Sequence, residues 1–320
     1  MQPTVLLVGM GITAASALES LGAVARVVGV VRPAAADDAV AKRAQTLSIP
    51  VFADASSAGL RAAVEQLSPD CVVVSSYDRI LKPELLRLSR FVNVHYSPLP
   101  RYRGRANVNW AIINDEPVTA ITIHVIAPGL DAGNILFQEL MPLGPRDTIG
   151  EVYRRLNELQ QRHLGPTVLR YLQGFGGHPQ QESAASYGCT RLAHDGLIDW
   201  SAATRRIDCL IRALDEPFPG AFTYLQDKRL IVWRAAPLEP APLYSGRIPG
   251  RVVGIYPAQG AVDVLTGDGV LRLFEVQLES AARVQASMII RSVRTSLGLS
   301  IPELLDQIRT LQQRLDALGS

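Results

Sequence analysis

The chain has very little lysine. Only Lys42, Lys82 and Lys228 occur in 320 residues, and arginine supplies the rest of the positive charge. With 32 basic against 30 acidic side chains the formal charge is +2. That is close to neutral, so the totals do not suggest a nucleic-acid binder, while leaving room for a local basic patch. Cysteine is as scarce: Cys71, Cys189 and Cys209 are odd in number and lack CxxC spacing. They read as small buried thiols in a reducing compartment rather than a disulfide framework or a zinc site. No histidine falls in an HExxH arrangement, so no metal is expected. No apolar run approaches a bilayer-spanning length. The start, MQPTVLLVGMG, has no basic stretch before its short apolar run, unlike a secretory signal. Together these absences predict a cytoplasmic chain without a membrane or metal partner.

What is present suits a globular protein. The hydrophobic fraction is 48% and the charged fraction 19%, enough apolar material for a sizeable core. The length corresponds to about two domains.

The first half alternates short β-branched runs with helical patterns. Thr4 to Val8, Val27 to Val31, Pro50 to Phe52, Cys71 to Ser75 and Phe91 to His95 read as strands. Ala14 to Leu21, Asp38 to Thr46 and Ala58 to Leu67 read as helices between them. This alternation predicts an α/β fold with a parallel sheet, whose sites lie at the carboxyl ends of its strands. Thr148 and Glu151 form a capping box for a helix running to about Leu172. The polar, Gly- and Pro-rich stretch beyond it contains the domain linker, placed at 179–185, so the first domain is expected at 1–178. One amphipathic helix, about Ala202 to Ala213, precedes short strands at Phe222 to Leu225, Arg229 to Trp233, Arg251 to Ile255, Val262 to Leu265 and Val270 to Phe274. They predict a small antiparallel barrel or sheet over 186–299. In the tail, 300–320, Leu304, Ile308, Leu311, Leu315 and Leu318 make a short a/d seam. It is expected to pack on its own domain, with a homodimer as the alternative.

Gly9, Gly11 and Ala14 fit GxGxxG/A directly after a strand and before a helix, the context of a dinucleotide fingerprint. Arg32 stands where NAD-binding chains carry an acid, so an NADP-binding oxidoreductase is a competing reading. Glycines are also common after a first strand simply because the turn is tight.

A stronger signal is FVNVHYSPLPRYRG, Phe91 to Gly104. Asn93 and His95 are two apart on a strand, so both point to one face. The run NVHYSPLPRYRGRANVNW resembles the signature of the 10-formyltetrahydrofolate-dependent formyltransferases. Gly129-Leu130-Asp131-Ala132-Gly133 resembles that family's downstream Leu-Asp-x-Gly. The likeness extends through Ile198-Asp199-Trp200, Ile211-Arg212-Ala213 and Phe218 to Thr223 to the smaller second domain of methionyl-tRNA and amino-sugar formyltransferases. Pro98, Ala120 and Asn134 depart from the usual pattern without touching the catalytic positions.

The resemblance implies a Rossmann-like formyltransferase domain followed by a small β-rich, OB-like domain. It implies Asn93, His95 and Asp131 as catalytic residues. Asn93 would donate to the developing oxyanion, and His95 or Asp131 would take the amine proton. Tyr77, Arg79, Ile80, Leu81, Leu130 and Asp131 would bind 10-formyltetrahydrofolate, with no metal. Ser97, Tyr102, Arg103, Gly104, Arg105 and Trp110 would bind the amine acceptor, although Arg103 and Arg105 could equally brace the loop. The YRGRA…NW wording is similar to the enzymes acting on a nucleotide-linked amino sugar. The segment from Arg32 to Arg43 holds Asp37, Asp38 and a single lysine, where tRNA-acting relatives carry a basic insertion. A nucleotide-linked amino sugar is therefore the expected acceptor. Methionyl-tRNA and an amino acid such as N-hydroxyornithine are the alternatives.

Overall fold

The computed structural model describes residues 2–33 and 38–318. Two compact units emerge: Met1–Ala111 with Glu116–Arg191, and Ile112–Asp115 with Leu192–Ser320.

In chain order the first unit runs β1 (Thr4–Gly9), α1 (Gly11–Gly22), β2 (Arg26–Val31), α2 (Ala39–Thr46), β3 (Val51–Phe52), α3 (Ser57–Leu67), β4 (Cys71–Ser75), α4 (Pro83–Leu86) and β5 (Arg90–His95). It continues with β6 (Arg103–Gly104), α5 (Asn107–Ile113), β7 (Val118–Val125), β8 (Ile135–Pro142), α6 (Ile149–Leu172) and β9 (Tyr187–Gly188). The α5 helix ends in residues grouped with the second unit. Seven strands form one sheet in the order β3-β2-β1-β4-β5-β7-β8. Val5, Leu6, Leu7, Val8, Val72 and Val73 are buried, as expected for apolar runs with both faces covered. The five expected strands are parallel, but β7 and β8 close the sheet as an antiparallel hairpin. Strand order reverses at β1, with β2 on one side and β4 on the other, which opens a crevice beyond the strands' carboxyl ends.

The stretch 179–185, expected as a linker, is held by the first unit, and the units divide only after Arg191. Gln180 and Glu182 bond the buried Arg103, and β9 pairs with β6 in parallel. Composition marks that stretch as polar, but its polar groups serve as partners for buried ones.

The second unit contains α7 (Thr204–Ala213), β10 (Ala221–Leu225), β11 (Lys228–Pro237), β12 (Val252–Tyr256), β13 (Ala261–Leu265), β14 (Val270–Leu278), β15 (Val284–Gln285), α8 (Ala286–Ile289) and α9 (Ile301–Leu318). Its antiparallel sheet has the order β10-β11-β14-β13-β12, with β15 on β14. Leu297 bridges Leu225 of β10, and Ser296 bridges Arg251 beside β12. The first and last strands thus meet on one short segment, a barrel-like closure that leaves less open edge. Trp200, Ile207, Ile211, Val232, Leu271 and Leu273 lie in its core. The tail forms the expected helix, but its seam is not covered as expected: Leu304, Ile308, Leu311 and Leu315 are all exposed, Leu315 at 68%.

Candidate active site

Asn93 and His95 lie on β5 between β4 and β7, where Asn93 is level with Val74 on one side and His124 on the other. Both line a cavity of about 630 Å³ at the carboxyl ends of β1, β4 and β5. Asp131 enters the same cavity from the loop between β7 and β8. The crevice anticipated for a parallel sheet therefore gathers all three residues.

Each is fixed by its neighbours. The Tyr102 carbonyl lies 2.8 Å from His95 Nε2. A carbonyl only accepts, so Nε2 carries the hydrogen and the neutral ring keeps its lone pair on Nδ1. The Asn107 amide nitrogen lies farther from the same Nε2, at 3.1 Å, so the closer carbonyl decides the tautomer. Asp131 Oδ2 stands 3.7 Å from His95 Nδ1. The same oxygen accepts from the Gly104 N–H at 2.8 Å. Asp131 itself has φ +48°, an uncommon backbone region for a side-chain-bearing residue. Gly133, which follows closely, has no room for a side chain: a Cβ there would lie 1.8 Å from the Val125 carbonyl.

Sequence reasoning did not single out His124. Its Nδ1 lies 2.9 Å from the Val125 carbonyl, and its Nε2 lies 3.1 Å from Asn93 Nδ2. Nδ1 must donate, so Nε2 accepts one Asn93 N–H and turns the amide. Burial first, and the facing His95 second, push the His124 ring down to about 4, so it is neutral at pH 7. The only clue in the sequence was a histidine among β-branched residues. Its cross-strand partner is far away in the chain.

The remaining expected residues divide between the cavity and its walls. Tyr77, Arg79, Ile80, Leu81 and Leu130 line the cavity, beside apolar Val74, Leu86 and Ile126. Tyr77 also donates to the Ala55 carbonyl at 2.7 Å. Gly104 and Arg105 line it too, and Arg105 reaches the Asp78 carbonyl. Ser97, Tyr102, Arg103 and Trp110 lie behind the lining. The Ser97 hydroxyl donates to the Arg101 carbonyl, the Tyr102 hydroxyl to Glu116, and Trp110 Nε1 to the Cys189 carbonyl. Arg103 is 2% exposed, with its guanidinium donating to Gln180 and Glu182. Of the two readings for this arginine, bracing is the one its contacts match.

The Gly9–Gly11 loop looks different from a dinucleotide site. A Cβ at Gly9 would meet the Ser75 carbonyl at 1.7 Å, so glycine is required by the close approach to β4. The Gly11 N–H, placed to meet a phosphate, donates to Asp38 Oδ1 at 2.8 Å. Asp38 Oδ2 takes Arg32 Nε at 2.9 Å, and both side chains are buried. An internal carboxylate thus stands where a ligand anion would bind, and the arginine expected to read an NADP phosphate is engaged with it. Residues 34–37 of this segment, including Asp37, lie outside the described residues.

Among the described residues no cluster of three His, Cys, Asp or Glu side chains could hold a metal ion. None of the described helices is long and apolar enough to cross a membrane.

Comparison with known proteins adds four findings. Residues 17–169 match the family described as formyl transferase, and residues 192–294 match the formyl transferase C-terminal domain. A methionyl-tRNA formyltransferase of Pelotomaculum thermopropionicum is 35% identical over 268 residues, covering 82% of this chain and 84% of that protein. An N-formyltransferase from Helicobacter canadensis, solved with folinic acid and dTDP-3-aminofucose, superposes with TM-score 0.63 at 18% identity, over 84% of this chain and 97% of that one. HypX from Aquifex aeolicus, solved with tetrahydrofolic acid, gives TM-score 0.64 at 18% identity over 92% of this chain, which spans about half (48%) of its length.

Proposed function

Because the chain belongs to the formyltransferase family, we propose that it moves a formyl group from 10-formyltetrahydrofolate to the primary amine of a nucleotide-linked amino sugar. The observation that carries the chemistry is the convergence of the Asn93 amide, His95 Nδ1 and the Asp131 carboxylate on one cavity. The cavity suits a flat, partly polar ring system. It combines apolar walls at Val74, Leu81, Leu86 and Ile126 with backbone groups of the 76–81 and 127–131 loops.

The folate supplies the formyl carbon and leaves as an amine. The rest falls to side chains. As the acceptor nitrogen bonds to the formyl carbon, negative charge develops on the formyl oxygen. One Asn93 N–H is held by His124, which directs the other toward that charge. The acceptor nitrogen loses its proton to His95 Nδ1, the free lone pair of a ring anchored through Nε2. Asp131, 3.7 Å away, stabilises the imidazolium so formed. When the bond to the folate nitrogen breaks, the same imidazolium returns the proton to it.

The sugar-nucleotide acceptor rests on Arg105 at the cavity and on the near-neutral charge of the chain. An arginine at that position can pair with a diphosphate. The 35% identity to a protein named methionyl-tRNA formyltransferase supports the second reading, tRNA. A mass-spectrometric assay with 10-formyltetrahydrofolate and separate pools of nucleotide amino sugars, methionyl-tRNA and N-hydroxyornithine distinguishes them. Formylation confined to the sugar pool is expected; formylation of methionyl-tRNA alone would reverse the assignment.

A further inference from the structure

We infer that Gln180, with Arg103 behind it, is a positioning residue for the reaction: the pair closes a ring of hydrogen bonds that fixes Asp131 against His95. The inference rests on the role proposed for Asp131.

The ring can be followed atom by atom. The Asp131 carboxylate accepts from the Gly104 N–H at 2.8 Å. Its main-chain carbonyl accepts from Gln180 Nε2 at 2.7 Å, and the same amide nitrogen donates to the Gly133 carbonyl at 2.7 Å. Gln180 Oε1 in turn accepts from Arg103 Nη2 at 2.8 Å and Nε at 3.2 Å. Arg103 is bonded through the chain to Gly104, whose N–H began the circuit. The side chain of Asp131 and its backbone are therefore held by groups that share one covalent anchor. Glu182 completes the hold on Arg103 with two oxygens, at 2.9 and 2.7 Å.

The residue types are dictated by this arrangement. Two carbonyls require a nitrogen with two hydrogens, and the guanidinium requires an acceptor on the same side chain. Only a primary amide offers both. Glutamate at 180 would still face Arg103 but would set an oxygen against both carbonyls. Arg103 holds each of two acceptor groups with a pair of N–H contacts, which its five-donor planar fork supplies and the three hydrogens of an ammonium do not.

The ring also has a reason to exist. Asp131 is held at φ +48°, and its loop has no strand partner at that point. Left alone, the loop would relax toward commoner backbone conformations and carry the carboxylate away from His95. Because Gln180 is 49 residues from Asp131, a composition-based reading sees only a polar linker there.

The test is a double-mutant cycle between Gln180→Glu and Asp131→Asn, with kcat, the KM for 10-formyltetrahydrofolate and the thermal midpoint measured for each. Gln180→Glu is expected to lower kcat about tenfold to a hundredfold, the scale of a misplaced catalytic group, with the folded state retained. In the Asp131→Asn background the same change should have little further effect, because the carboxylate it positions is gone. Full additivity of the two losses, or an unchanged kcat in Gln180→Glu, would overturn the inference. An unchanged kcat in Asp131→Asn would instead overturn the role given to Asp131. Glu182→Gln, at an exposed position, provides the same cycle with a smaller loss should Gln180→Glu not fold. Additivity there would count equally against the ring.

Discussion

Two sites at the carboxyl end of the sheet, the Gly9–Gly11 loop and the end of β5, carry residues that look built for a ligand, and they differ in what their polar groups already hold. In the Gly9–Gly11 loop the amide of Gly11 is taken by Asp38, and Asp38 is taken by Arg32. At the other site the hydrogen bonds stop one group short. Asn93 gives one N–H to His124 and keeps one, and His95 anchors Nε2 and keeps the Nδ1 lone pair. A motif describes which groups are brought together. Whether they can meet a substrate depends on what remains after the fold has satisfied them.

This contrast can be broken at several points. The largest effect is expected from His95→Ala, which removes the proposed proton acceptor and should slow formyl transfer by about 10² to 10⁴-fold. Pre-steady-state transfer rates would check it, and a loss under tenfold would move the base to Asp131. Next comes Asp38→Ala, which strips the carboxylate facing a buried arginine and should cost about 3 kcal/mol of stability. Its kcat should stay near that of the parent. A normal urea midpoint with a collapsed kcat would return the glycine loop to the functional site.

The smallest effect sharpens the comparison within the active site. His124→Gln should leave Asn93 less well turned and lower kcat about tenfold. The same substitution should also flatten the acid limb of the stability profile. The unfolded ring takes up a proton near its ordinary value of 6.5, whereas the folded one does so only at about 4. Between those values the unfolded state binds more protons, so acid favours unfolding and stability falls as pH drops from 6.5 toward 4. Urea midpoints at pH 7 and pH 5 should differ for the parent and differ less for His124→Gln. Equal differences in the two proteins would refute the neutral, buried histidine.

Much of the fold was legible because it is local. The runs at Thr4, Val27, Cys71 and Phe91 are β-branched and apolar, which suits strands buried on both faces. The Thr148–Glu151 capping box correctly begins α6. The hairpin of β7 and β8 was missed as an antiparallel closure, since orientation within a sheet is set by the connections rather than by the strand residues. The tail's a/d spacing was visible, but spacing says nothing about what covers a seam, and Ile308 in its middle is half exposed. Asn93 and His95 could be paired by their period of two, whereas Asp131 was found through resemblance to a known family. His124 and Gln180 escaped both routes. One acts across a strand register 31 residues away and the other across a loop 49 residues away, and neither separation leaves a periodic trace.

The most direct test of the whole account is Asn93→Ala, measured as the rate of formyl transfer from 10-formyltetrahydrofolate alongside the affinity for the folate. Loss of one oxyanion donor should reduce the rate by a few hundredfold, ~3 kcal/mol, while folate still binds. A transfer rate equal to that of the parent would contradict the site described above.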